Sequence, residues 1–134
     1  MKTTTSNIVS RILFVFYIAS VCLLCFAKFD GAIRVSKVIM GLPTDKLAHF
    51  LMFFPFPLLG FLSFDKGRRT AGRSIGFMAL LLFAGCCFAS ATEFIQGHLS
   101  YRTADKYDLL ADCISMGIST LIILITDLSI CSKK

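Results

Sequence analysis

A chain of 134 residues has room for one small domain. With 56% hydrophobic and only 16% charged residues, it has too little polar surface to wrap a water-soluble core. The net charge of +6 would suit nucleic acid, but the basic residues are scattered over loops and termini with no basic face of interleaved aromatics, which argues against that partner.

Runs approaching twenty mostly apolar residues recur, the length a bilayer core demands. The sequence therefore predicts an all-α fold, an integral membrane bundle of four transmembrane helices forming one domain over residues 1–134. The first span covers residues 12–27, after Lys2 and Arg11. Its basic start resembles a signal peptide, but no small-x-small cleavage site follows, so it is taken as an uncleaved helix. Cys22, Cys25, Cys86, Cys87 and Cys113 fall in apolar runs, where a thiol acts as a small hydrophobe and not as part of a disulfide framework. A mixed loop over 28–44 ends at Thr44 or Asp45, either of which suits a helix cap.

The second span, 45–64, contains Pro55 and Pro57 and should kink there. The basic loop with Lys66, Arg68, Arg69 and Arg73 reads as cytoplasmic under the positive-inside rule. In the third span, 75–96, Gly85, Ala89, Glu93 and Gln96 fall on one stripe, and small residues there allow close helix approach in lipid. The fourth, 105–130, has its polar residues Asp105, Asp108, Asp112, Ser115 and Ser119 at steps of three and four, one helical face. Four spans put both termini on one side, and the charge bias makes that side cytoplasmic. Asp45, Lys46, His49, Glu93, Gln96, Arg102, Asp105, Asp108 and Asp112 then meet in one layer at the outer face.

Acids at membrane depth are costly, so they tend to be there for a purpose. Glu93 reads either as a carboxyl bonded to Gln96 or Arg102 that locks two helices, or as a proton acceptor or ligand. His49 lies one turn after Asp45, which would orient its ring; otherwise it is a histidine wetted at the headgroup layer. Lys46 suits a lipid phosphate, or neutralises nearby acids. Arg102 with Asp105 and Asp108 makes an ion-pair network at the start of the fourth span, where carboxylates also suit the helix dipole. Asp108 and Asp112 lie deeper, where capping explains less. The surplus of acids would hold a proton or a hard divalent cation such as Mg²⁺, although no dedicated metal motif is present and no metal ligands are assigned.

Three pieces of this layer, Asp45-Lys46-Leu47-Ala48-His49-Phe50, Thr92-Glu93-Phe94-Ile95-Gln96, and Arg102-Thr103-Ala104-Asp105 with Asp108-Leu109-Leu110-Ala111-Asp112, resemble the signature of the VanZ-like family of small bacterial membrane proteins. Many members carry Asn where this chain has Asp112, and the glycine-rich pattern that follows is thinned to Ser115, Met116 and Gly117. The family is named for a protein linked to teicoplanin resistance. The resemblance implies a bacterial cytoplasmic membrane and a site dealing with the cell envelope or its lipids.

The function expected from these observations is binding, or processing, of an envelope lipid headgroup or cell-wall precursor. Glu93 or His49 would be general base or acid. Asp108 and Asp112 would orient that base, and Arg102 and Lys46 would hold phosphate, with Asp45, Gln96 and Asp105 completing the binding set. Two alternatives stay open: a small proton-coupled transporter acting as a dimer, and a non-catalytic membrane scaffold.

Overall fold

The structure, a computed structural model, describes residues 2–28, 38–39, 41–64 and 70–131. Helix α1 runs Lys2–Phe26, followed by β1 Val38–Ile39 and β2 Leu42–Pro43, then α2 Thr44–Phe53, α3 Phe56–Phe64, α4 Ala71–Gln96 and α5 Lys106–Cys131. The chain is helical as expected. Four segments, Ile8–Phe26, Thr44–Phe64, Ala71–Gln96 and Lys106–Ile130, are long and apolar enough to cross a membrane. Lys66, Arg68, Arg69, Lys133 and Lys134, on which the expected orientation largely rests, lie outside the described residues.

Two local features differ from the sequence expectation. Part of the loop before α2 is a minimal antiparallel hairpin, pairing Val38 with Pro43 and Ile39 with Leu42. Gly41, just before β2, has a positive φ (82°), which costs a glycine nothing because it has no Cβ. The second difference is at the prolines. Pro55 and Pro57 have no N–H to offer the preceding turn, so the expected kink is a break between α2 and α3. The Tyr17 hydroxyl donates to the Met52 carbonyl at 2.6 Å, supplying a partner beside that break.

Helix α5 packs on α2 and α4, while α3 packs on α1. Their common core is Val21, Cys25, Phe53, Phe56, Ala89 and Met116. Gly85 permits this approach: a Cβ there would meet Met116 Sδ at 2.5 Å and the Phe56 ring at 3.0 Å. Among the described residues, eleven of the buried ones are polar or charged, beside eight hydrophobic residues and the buried Pro57, Gly60 and Gly85. Leu13, Phe16, Leu80, Phe83, Leu121 and Ile125 meanwhile point outward. That inside-out distribution positions the polar layer at the end of the bundle where α2 and α5 begin and α4 ends.

Candidate functional site

The layer is assembled from three helix ends. Helix α2 starts after Pro43, whose fixed φ suits the approach to a helix, and within two turns presents Lys46 and then His49. At the far end of α4, the spacing of four that buries Gly85 and Ala89 continues to Glu93. Asp105 precedes α5, and Asp108 and Asp112 follow at three and four residues, turning one face of that helix inward.

Burial is nearly complete for four of these groups. His49 is 4% exposed, Glu93 6%, Asp108 4% and Asp112 0%. The imidazole Nδ1 of His49 lies 3.2 Å and 3.3 Å from the two Asp112 carboxylate oxygens. With its proton on Nδ1, the ring donates to Asp112, and Nε2 then faces Asp108 Oδ2 at 4.0 Å. The Lys46 ammonium donates to Asp105 Oδ2 at 2.6 Å and Asp108 Oδ1 at 3.0 Å. It also lies 5.5 Å from the centre of the Tyr107 ring. This lysine contact, with a second hydrogen bond from the Tyr107 amide, holds the Asp105 carboxyl below the usual carboxylate range.

Glu93 is divided in its bonding. Its Oε2 accepts the Asp105 amide N–H at 3.2 Å, which fastens the end of α4 to the segment before α5. Its Oε1 is buried with no hydrogen-bond partner and sits 3.9 Å from His49 Nδ1. Ligand atoms of His49, Glu93 and Asp112 all lie within 4.8 Å of one another, as do those of Asp45, His49 and Asp108. Five carboxylates, those of Glu93, Asp105, Asp108 and Asp112 with the more exposed Asp45, thus surround one lysine and one histidine.

Three sequence expectations are corrected by this geometry. Arg102 does not pair with Asp105 or Asp108; its guanidinium donates to the Leu24 carbonyl at 3.2 Å, and Lys46 takes the two acids instead. Gln96 does not bond Glu93 but donates to the Cys25 carbonyl at 3.0 Å, and Tyr101 donates to Phe26. All three satisfy the last-turn carbonyls of α1 that lack helical partners. The close partner of the His49 ring is Asp112, across the bundle, while Asp45 is exposed. Contacts between residues 59 to 78 positions apart leave no local spacing signal.

The sequence also missed a groove of about 310 Å³ beside this layer, walled by Pro43, Lys46, Leu47, Phe50, Ala111 and Ile114. Apart from Lys46 its residues are ordinary apolar ones, so nothing in their type marks them out.

The fold and site define a helical protein with four segments long and apolar enough to cross a membrane, apolar outside, with a buried histidine–carboxylate layer at one end. No family model matches the chain, and no solved structure does. It is similar to an uncharacterized protein of Schizosaccharomyces pombe, 32% identical over 78 residues, which cover 58% of this chain. The aligned segment spans 45% of that yeast protein's length. These findings overturn the VanZ-like resemblance and, with it, the bacterial inner-membrane location and the link to teicoplanin: the family is not matched, and the similar protein is eukaryotic. The quoted pieces are each four to six residues long, too short to establish a family by themselves.

Proposed function

We propose that the chain spans a membrane four times and binds an amphipathic lipid at one face. Support for insertion comes from the inside-out packing, since exposed leucines, isoleucines and phenylalanines suit hydrocarbon while polar groups are gathered in the interior. The observation that carries lipid binding is the groove between α2 and α5. Its walls are apolar and suit an acyl chain, and one of the residues in them is Lys46, whose ammonium is bonded to the acids of the polar layer. Lys46 is already held by two carboxylates and Arg102 by a helix carbonyl, so neither is a free phosphate clamp. Carboxylates only accept hydrogen bonds when ionised, so the headgroup they favour is one that donates, bearing hydroxyls or an amine.

The test is to purify the protein in mild detergent and quantify co-purifying lipid by mass spectrometry. Ala111→Trp, which fills the groove, should remove most of that lipid, whereas Phe83→Trp on the outward face of α4 should not. Equal lipid in both variants would overturn the proposal.

One observation favours a proton-coupled transporter instead: the unpartnered Glu93 Oε1, a place for a proton. Its location in the last turn of α4 weighs against this, because coupling sites lie near the bilayer midplane. Loss of pH-driven flux in Glu93→Gln vesicles, with lipid binding intact, would decide for transport.

A further inference from the structure

We propose that His49, Glu93 and Asp112 form a binding site for a divalent first-row transition ion of the Mn²⁺ or Zn²⁺ type. The ion would lie in the polar layer of the lipid site proposed above, and the inference rests on that layer's geometry and not on what fills the groove.

The first support is donor chemistry. One imidazole with two carboxylates is a mixed nitrogen–oxygen set; imidazole suits zinc and its neighbours, carboxylate suits manganese, and Mg²⁺ would prefer oxygen alone with several waters. The second is distance. In a tetrahedral set with bonds of about 2.0–2.2 Å, ligand atoms stand about 3.3–3.6 Å apart. Here the Nδ1–Oδ1 separation to Asp112 is 3.2 Å, that from Nδ1 to Glu93 Oε1 is 3.9 Å, and the whole set fits within 4.8 Å. Small side-chain rotations close the wider gaps.

An independent observation points to the missing occupant. Glu93 Oε1 is a buried carboxylate oxygen without a hydrogen-bond partner, on a residue only 6% exposed, facing the His49 ring. Leaving such an oxygen unmatched is costly, the more so if it is charged. A dication supplies the partner. It also makes a neutral set with the two carboxylates, which suits a site shielded from water.

The surroundings fit an outer shell. Ligating through Nδ1 moves the ring proton to Nε2, and Asp108 Oδ2, 4.0 Å away and so outside hydrogen-bond distance, would accept it after a small rotation, giving the carboxylate–histidine–metal arrangement that orients such ligands. The Asp105 amide holds the other Glu93 oxygen, fixing which one turns toward the ion. Lys46 in turn secures Asp108 and Asp105.

The experiment uses the full chain in lipid-free detergent micelles, stripped with chelator and titrated with Mn²⁺ and separately with Zn²⁺. One ion per chain should bind, and the Mn²⁺ complex should show imidazole nitrogen coupling by electron spin echo that changes on ¹⁵N-histidine labelling. Glu93→Gln and Asp112→Asn should weaken binding by at least about tenfold, while Asp127→Asn, at the far end of α5, should not. If wild-type protein takes up neither ion stoichiometrically, or the bound Mn²⁺ shows no histidine coupling, the proposal fails whatever the variants do. Because no lipid is present, that failure is separate from the outcome with Ala111→Trp.

Discussion

Replacing Lys46 with methionine tests the charge balance of the polar layer most directly. The substitution keeps a long apolar stem but strands Asp108, whose side chain is 5% exposed, with no cation 3.0 Å away. At an effective dielectric of about 20, two unit charges at that distance attract by roughly 5–6 kcal/mol, before the cost of drawing the ammonium out of water. Removing one partner of a fully buried pair costs about 3–5 kcal/mol. The lysine side chain keeps 31% of its exposure, so the expected loss is smaller, about 2–3 kcal/mol. Asp105, 38% exposed, adds little, because solvent screens the pair. Unfolding by SDS in mixed micelles, followed by circular dichroism, measures the difference. The double variant Lys46→Met/Asp108→Asn should recover most of the loss, because it removes the stranded charge along with its partner. A Lys46→Met protein within about 0.5 kcal/mol of wild type, or a double variant no better than the single one, would refute the pairing.

Two further outcomes are expected of the same assay. Gly85→Val should destabilise by about 1–3 kcal/mol, since its Cβ would land 2.5 Å from Met116 Sδ and 3.0 Å from the Phe56 ring, and Met116→Ala in the same chain should restore part of it. Asp105, held below the usual carboxylate range by Lys46, contributes stability that is full at neutral pH and is lost as the pH falls through its lowered value. The stability gap between wild type and Asp105→Asn should therefore narrow as the pH drops from about 5 to about 3; a gap that widens on acidification would reverse the assigned sign.

What the sequence alone determined is what periodicity and composition can carry. Long apolar runs require helices, because only a helix satisfies its own backbone over such a length in an apolar setting. The spacing of Asp108, Asp112, Ser115 and Ser119 placed them on one face, and all four are buried. The small-residue stripe ending at Glu93 likewise faces inward. Short motifs proved a weaker guide, since a family resemblance resting on pieces a few residues long was not upheld by comparison across the chain.

Tertiary structure decided the partners. Arg102 and Asp105 are near neighbours in sequence, yet the loop between α4 and α5 turns Arg102 to the carbonyls of α1 and leaves Asp105 to a lysine 59 residues away. His49 found Asp112 and not Asp45, because a helix neighbour one turn away offers one geometry whereas a facing helix brings its side chains in from across the core. The orphaned oxygen of Glu93 and the groove beside Lys46 exist only between packed helices. Periodicity fixes which way a side chain faces; what it meets there depends on the angle and depth at which another helix arrives.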